Sequence, residues 1–438
     1  MIAVKLIDRR AGAFKRAQSP AGHDEMFNFK PIDSKMNNED LFQWPEEVLR
    51  KLRTLKDYDD YFQKLYKHGI EAMLKAEMGE HLGYPKNDPA GKNTGNSRNG
   101  YSGKTLKTNL GEIPLDVPRD RNATFEPIVV PKHQRMSARI EHAILTMYSR
   151  GMTVRDIEET IKEMYGVEVS EGSISSITNA VLDSIKEWQN RPLEPIYFVV
   201  WMDGIVMKVR QNGKVQNKTI YLIIGLRQDG LKEVLGMWIN ETESASFWLN
   251  VLTDLKARGV QDILIACTDN LAGIRQAIRA AFPQTICQLC IVHQIRNSVR
   301  YVVWKERKEF LADLKAIYTA INKEMALDAL EAFARKWGSK YAYAIKSWRD
   351  NWEELTSFFD FPLEIRKIIY TTNAIESLNS TIRKYTKVKT VFPDDQAALK
   401  AVYLSVANIE KKWTMPVREW GAIINQLIIK FGDRCGIR

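Results

Sequence analysis

Between residues 193 and 296 the hydrophobic positions follow strand periods that are interrupted by two helical stretches. Ile196–Arg210 is a run of apolar, β-branched and aromatic residues. Asn212-Gly213, a favoured hairpin turn, follows it and connects it to a second strand. Ile263–Cys267 is apolar without interruption, which is typical of a strand that is covered on both faces. The pattern predicts the order βββαβαβ.

Three antiparallel strands that lead into parallel ones describe a ribonuclease-H-like sheet, so the predicted fold is α/β. Residues 297–370 are helical and break the sheet pattern, and we expect them to form an all-α insertion domain. Its tryptophans belong first of all to a core; the alternative is that one of them stacks on a base displaced from a duplex. Residues 371–438 return to the catalytic core as its C-terminal helices.

The chain before residue 193 is predicted to be mainly helical. Residues 1–40 show no periodicity, so we expect a disordered or extended N-terminus. Residues 41–135 contain a helical segment, a linker at Gly83–Asn99 and a small hairpin around Asn109-Leu110-Gly111. We expect this segment to bind DNA through basic side chains: Lys104, Lys107, Arg119 and Arg121.

Residues 136–192 predict two helices with a short connection at Gly166–Val169. Ser170 can cap the second helix, whose apolar positions recur at spacings of three and four. As in a helix-turn-helix, its opposite face would present small polar side chains to a DNA groove: Ser173, Ser176 and Asn179. The alternative is a helical hairpin that serves only packing.

Composition adds little beyond a choice of partner and compartment. The net charge of +10 and the pI of about 9.2 favour a polyanionic partner. Four cysteines are too few for a disulfide framework in 438 residues. Because the sequence lacks a membrane-length apolar run and a secretory signal, we expect a cytoplasmic protein with no membrane partner.

Three carboxylates carry the predicted chemistry. Asp203 stands inside an otherwise apolar strand, and its burial is costly unless a partner or a metal compensates. Asp269 follows the strand at Ile263–Cys267, and Glu376 lies on a helix that opens at Asn373. We interpret the three as one site that holds two divalent cations. For Glu376 the alternative is a capping box with Asn373.

The spacing Cys287-x-x-Cys290-x-x-His293 also permits a zinc site. No second pair of ligands lies nearby in the sequence, so structural packing is the preferred interpretation. A Cys-His nucleophile pair is less favoured because the sequence shows no third, orienting group.

Several stretches together resemble the bacterial mutator-type insertion-sequence transposases: GNSRNGYSGKTLKTNLGEIPLDVPRDR, the strand with Asp203, ACTDN, CQLCIVHQIRN and TTNAIESLNSTIRK. The resemblance begins near Glu77 and implies a ribonuclease-H-like DDE transposase. It assigns the catalytic, metal-binding acids to Asp203, Asp269 and Glu376, and the family's Cys-x-x-His signature to Cys290 and His293.

The expected function is Mg²⁺-dependent cleavage and strand transfer at the inverted-repeat ends of an insertion sequence, with two Mg²⁺ ions or Mn²⁺ as a substitute. The resemblance implies a circular copy-out/paste-in intermediate and a bacterial, nucleoid-associated protein. Expected partners are double-stranded DNA, both ends and target, and a second copy of the chain. Arg383 and Lys387 continue the polar face of the Glu376 helix towards DNA. A ribonuclease-H-type nuclease and a non-catalytic DNA-binding regulator stay open as alternatives.

Overall fold

The computed structural model describes residues 46–91, 94–270, 273–370, 373–387 and 389–436. The predicted disordered segment 1–40 lies outside these ranges. The chain divides into two compact units, one of residues up to 145 together with 154–177, the other of residues 146–153 and 178 onwards. Among the described helices none is both long and apolar enough to cross a bilayer.

The first unit contains a long helix and a hairpin, and it shares two helices with the second unit. The elements are α1 (Glu46–Lys51), α2 (Leu55–Leu82), β1 (Arg98–Thr108), β2 (Gly111–Asp120), α3 (Ala138–Ser149), α4 (Val154–Tyr165) and α5 (Glu171–Gln189). A reciprocal capping box between Thr54 and Asp57 begins α2, and Gly83 ends it in the left-handed region at φ 75°. The unit's boundaries fall inside α3 and α5.

A small apolar core joins α2 to the hairpin: Ile70 and Leu74 from the helix pack with Leu106, Ile113 and Leu115 from the strands. The predicted hairpin is therefore present, with longer strands than expected. The Gly83–Asn99 stretch, expected to be a linker that cannot pack, is tied down at both ends. Tyr84 is buried, and the Asn96 side chain donates to Asp120 at 2.8 Å.

The second unit is built on a five-stranded mixed sheet of order β5-β4-β3-β6-β7. Its elements are β3 (Ile196–Gln211), β4 (Lys214–Leu226), β5 (Lys232–Asn240), α6 (Ala245–Ala257), β6 (Asp262–Thr268), α7 (Ile274–Ala281) and β7 (Ile286–Leu289). The order βββαβαβ is thus confirmed, and so is the α/β class. Asn212 and Gly213 both have positive φ (50° and 77°), as a type I′ turn requires.

Central strand β3 pairs antiparallel with β4 and parallel with β6. Helices α6 and α7 cover one face of the sheet, where Met202 of β3 packs among Trp248, Leu252, Ile263 and Ile278. Since side chains alternate along a strand, Trp201 and Asp203 belong to the opposite face. This alternation leaves Asp203 outside the apolar core.

The remaining helices are α8 (Ile291–Val299), α9 (Arg307–Tyr318), α10 (Lys323–Trp337), α11 (Ala342–Asp350), α12 (Trp352–Thr356), α13 (Leu363–Ile369), α14 (Asn373–Thr386), α15 (Asp395–Glu410) and α16 (Trp420–Phe431). The stretch 297–370 is helical, as predicted. Its first helix, however, begins at Ile291, so the expected limit at residue 297 falls within α8. Cys290 caps α8 without a side-chain hydrogen bond, which explains why no start signal was visible in the sequence.

Candidate active site

The central strands bring two of the predicted acids together at one edge of the sheet. Met202 of β3 and Thr268 of β6 are partners in the parallel register, so the next residues, Asp203 and Asp269, end up side by side. The negative charge of Asp269 reaches Asp203, and together with burial it raises the pKa of Asp203 to about 6; burial is the larger cause. Two carboxylates therefore lie close together at a position that is only partly accessible to water.

His293, in the first turn of α8, connects these acids to Glu376. Its Nδ1 atom forms an ion pair with Oδ1 of Asp269, and its Nε2 atom lies 3.9 Å from Oε1 of Glu376 on α14. Burial alone would lower the pKa of His293, but its contacts with Asp269 and Cys290 raise it to about 10. The imidazole ring of His293 therefore lies between Asp269 and Glu376.

A guanidinium completes the cluster. Nη1 of Arg296, one helical turn after His293, lies 3.0 Å from Oε1 of Glu376 and 3.3 Å from Nε2 of His293. The Glu376 side chain therefore has partners of its own in the site. A capping role for it remains open, because the side chain of Asn373 lies outside the described residues.

Asn379 fixes the orientation of Asp203. Its Nδ2 donates to Oδ2 of Asp203 at 2.6 Å, and the backbone N–H of Gly204 donates to Oδ1 at 2.7 Å. Asn379 is 2% exposed and lies three residues after Glu376, so α14 presents both side chains to the site. The polar face expected for α14 is accordingly buried at Asn379 and exposed only further on, at Arg383 and Lys387.

A fourth carboxylate approaches the cluster from the loop after β5. Burial raises the pKa of Glu243, a hydrogen bond with Tyr221 counteracts this, and the charges of Asp269 and Asp203 raise it further. Glu243 and Arg296 were not predicted from the sequence, and Asn379 was expected only as part of the polar face of the Glu376 helix. The i+3 spacings from Glu376 to Asn379 and from His293 to Arg296 were the only signals available.

The donor set fits a hard divalent cation. Carboxylate oxygens are the ligands that Mg²⁺ and Mn²⁺ prefer. Among the buried polar atoms of the described residues, Oδ1 of Asn379, whose Nδ2 contacts Asp203, has no hydrogen-bond partner. Such atoms are usually satisfied by an ion, water or a ligand.

The Cys-His stretch is arranged differently from a zinc site with two cysteines. Cys290, His293 and Asp269 each bring a ligand atom within 4.8 Å of the others, and Cys287 does not belong to this group. Cys287 lies in β7 and burial raises its pKa to about 11, in line with structural packing. Asp269 also supplies the orienting group that the sequence analysis did not find beside Cys290 and His293.

The predicted DNA-contact residues lie in varied surroundings. Lys104 donates through Nζ to the carbonyls of Pro131 and Lys132, and Lys107 donates to the carbonyl of Glu168. The hydroxyls of Ser173 and Ser170 are 3.0 Å apart, and the N–H of Ser173 donates to Ser170, which confirms the predicted cap. Others are exposed: Arg119, Arg121, Ser176, Asn179, Arg383 and Lys387. Asn179 accepts a hydrogen bond from Lys400 at 2.8 Å.

The tryptophans of the insertion separate by burial. Trp348 is 1% exposed and Trp337 is 6% exposed, so both belong to the core as expected. Trp304 is 80% exposed, with the guanidinium of Arg307 over its ring at 5.6 Å. If one of these rings stacks on a base, Trp304 is the accessible one among them.

Comparison with known proteins defines the class of protein to which this chain belongs, the enzymes that cut and join DNA during transposition. The sequence profile described as "Transposase, Mutator family" matches residues 39–416. The chain belongs to this family.

Individual relatives agree with the profile. The chain is 44% identical over 396 residues to a probable transposase for an ISRM3-like insertion sequence element of Sinorhizobium fredii, which covers 89% of this chain and 98% of the relative. It is equally 44% identical over 398 residues to the transposase for element ISRM3 of Rhizobium meliloti, with the same coverage. The transposase for element IS905 of Lactococcus lactis is 36% identical over 357 residues, 82% of this chain and 91% of the relative.

Proposed function

We propose that this chain is a DDE transposase with a ribonuclease-H-like catalytic core, which binds the inverted-repeat ends of its insertion sequence and cleaves and transfers DNA strands in a Mg²⁺-dependent reaction. The observation that carries the proposal is the approach of three carboxylates, Asp203, Asp269 and Glu376, around the imidazole of His293. Residues so distant in sequence have no packing reason to collect negative charge at one sheet edge.

In this proposal Asp203, Asp269 and Glu376 would hold two cations, with Asp203 contributing to both and Asp269 and Glu376 to one each. Two bound Mg²⁺ ions supply activation of the attacking oxygen and stabilisation of the leaving 3′-oxygen. Asn379 holds the Asp203 carboxylate in one orientation through its hydrogen bond at 2.6 Å. His293 restrains Asp269 through their ion pair and keeps it beside Asp203. A rigid acid cluster of this kind needs little reorganisation when substrate binds.

Two strand-breaking steps are proposed. Water attacks a phosphodiester at the element end, the P–O bond to the 3′-oxygen breaks, and a 3′-hydroxyl is released. That hydroxyl then attacks a second strand, and one phosphodiester replaces another without an external energy source. Joining of one element end to the other would produce a circular copy-out/paste-in intermediate.

DNA binding is assigned to the predicted segments 41–135 and 136–192, the catalytic core to 193–296 and 371–438, and the all-α insertion to 297–370. The exposed Arg119 and Arg121 of the first unit, with Arg383 and Lys387 of α14, offer cations for backbone phosphates. Two of the three N–H donors of the Lys104 ammonium group bind carbonyl oxygens, and the third is left for a phosphate. A dimer on DNA follows from the need to hold two ends together.

A labelled inverted-repeat end incubated with the purified protein and Mg²⁺ tests the proposal. Nicking at the element boundary followed by joining of the freed 3′-end is the expected result. Nicking without joining would instead support a structure-specific nuclease. DNA binding without cleavage in the presence of either Mg²⁺ or Mn²⁺ would support a DNA-binding regulator.

A further inference from the structure

Arg296 reaches the acid cluster from the solvent side. Its side chain is 60% exposed, whereas that of its partner Glu376 is 24% exposed. Only the guanidinium end contacts the cluster, through Nη1 at 3.0 Å from Oε1 of Glu376. The side chain can therefore leave Glu376 without disturbing the packing of α8.

In the protein without DNA or metal, the contact between Arg296 and Glu376 offsets negative charge in the acid cluster. Asp203, Asp269 and Glu376 form one cluster, and the charge of Glu243 reaches the first two. Arg296 and the imidazole of His293 are the cationic partners that contact this cluster among the described residues. A divalent cation on Oε1 of Glu376 would stand close to the guanidinium, and like charges at that separation repel strongly. Arg296 and a metal ion thus compete for Glu376.

Binding of DNA would end the competition between Arg296 and a metal ion for Glu376. A guanidinium presents its donors in a planar fork that matches the oxygens of a phosphate, and it stays charged at any physiological pH. A phosphodiester that enters the acid cluster would lie within reach of Arg296 at the moment when Glu376 is needed for a cation.

We propose that Arg296 is a substrate-binding residue that occupies Glu376 in the free protein and transfers to a non-bridging phosphate oxygen when DNA binds. This deepens, and rests on, the metal-dependent function proposed above. Because each ligand then releases a group that the other needs, DNA and metal bind cooperatively, and the coupling is reciprocal. The free enzyme holds metal weakly, which restrains nicking away from an assembled DNA complex.

Arg300 provides a matched control on the same stretch of chain. It follows α8 directly, is exposed, and its guanidinium lies over the ring of Tyr301 at 5.4 Å. Replacing Arg300 with Gln makes the same change of charge and shape as replacing Arg296, one helical turn further from the acids.

The test compares Arg296→Gln with Arg300→Gln in the full chain. Binding of Mn²⁺ without DNA is measured by the electron paramagnetic resonance signal of free Mn²⁺, and cleavage of a labelled end is measured at saturating Mn²⁺. For Arg296→Gln we expect Mn²⁺ to bind about 3- to 10-fold more tightly and cleavage to fall about 100-fold. The salt slope of DNA binding should decrease by about one. Arg300→Gln should leave Mn²⁺ affinity and cleavage within about twofold of the parent protein.

Weaker or unchanged Mn²⁺ binding by Arg296→Gln would overturn the competition for Glu376. Full cleavage by that variant at saturating Mn²⁺ would overturn the phosphate contact. Failure of the underlying function looks different: the parent protein would then bind no Mn²⁺ even with DNA present, and its cleavage would survive Asp203→Asn.

Discussion

Asp120 ends the hairpin of the first unit and is buried, whereas Asp203 lies in the central strand of the second unit and is half-buried. Asp120 is 3% exposed and accepts hydrogen bonds from the Asn96 amide, from the Thr124 hydroxyl and N–H, and from the Phe125 N–H, all between 2.7 and 3.1 Å. Burial would raise the pKa of Asp120, but these donors hold it far below its usual range.

Asp203 accepts fewer hydrogen bonds than Asp120. It accepts from Gly204 and Asn379 only, among the described hydrogen bonds, and it faces the charge of Asp269, so its pKa rises to about 6. The difference shows that burial of a carboxylate does not by itself indicate a functional site. The donors around Asp120 outweigh the effect of its burial on the pKa, whereas those around Asp203 do not outweigh its burial and the charge of Asp269.

The largest expected effect comes from Asp203→Asn. The amide keeps the shape of the side chain but loses the charge that a cation requires, so we expect end cleavage to fall by at least about 10³-fold. DNA affinity should stay within about twofold. Without metal, the melting temperature should be unchanged or higher, because an ionised carboxylate beside Asp269 is removed. Substantial cleavage by this variant would exclude Asp203 from the active site.

Asp120→Asn should show the opposite behaviour. A neutral amide cannot accept all four hydrogen bonds, so we expect the first unit to lose about 2–3 kcal/mol of stability, on the order of one hydrogen bond to a charged group. The residues proposed to be catalytic, in the second unit, are unchanged, so strand joining by pre-cleaved ends should persist wherever the first unit stays folded. Differential scanning calorimetry measures the stability.

The same residue predicts a pH dependence. Because the pKa of Asp120 is lower in the folded state than the roughly 3.9 of an unfolded chain, its stabilising contribution is present above about pH 4 and is lost as the pH falls below that value. The melting temperature of the first unit in the parent protein should therefore drop in this range. In Asp120→Asn this component of the drop should be absent, and an equal drop in both proteins would contradict the assignment.

The sequence predicted those parts of the fold that depend on local pattern. The strand order, the Asn212-Gly213 turn and the apolar run before Asp269 follow from periodicity and turn chemistry, and all three are present. The proximity of Asp203 and Asp269 follows in turn, because the two residues come directly after a pair of partners, Met202 and Thr268, in parallel strands. Glu376 was assigned from its place on the polar face of a helix and from the resemblance to a family, since no local pattern connects α14 to β3.

What the sequence did not predict are contacts between distant polar residues. Asn96 stands in a stretch rich in Gly, Asn and Pro, yet it is a donor to Asp120 in β2. Asn379 belongs by spacing to a polar, apparently solvated helix face, yet it is buried against Asp203. Both side chains are polar because they serve a carboxylate elsewhere in the chain, and periodicity alone cannot separate that role from exposure to water.

The smallest of the expected effects is that of Asn379→Leu. This variant tests most directly whether Asp203 differs from Asp120. Leucine keeps the branched shape of asparagine with a larger volume, and it removes the donor to Asp203 together with the unsatisfied Oδ1, so we expect a stability cost of at most about 1–3 kcal/mol. Cleavage should fall about 10- to 100-fold, the usual cost of losing a group that orients a metal ligand, and half-maximal activity should need more Mg²⁺. Thr381→Ala on the same helix is the control, because the Thr381 hydroxyl donates only to the carbonyl of Ser377 at 2.9 Å. A loss of stability with an unchanged Mg²⁺ requirement would mean that Asn379 packs the helix rather than orients Asp203, and Asp203 would then resemble Asp120 more than we argue.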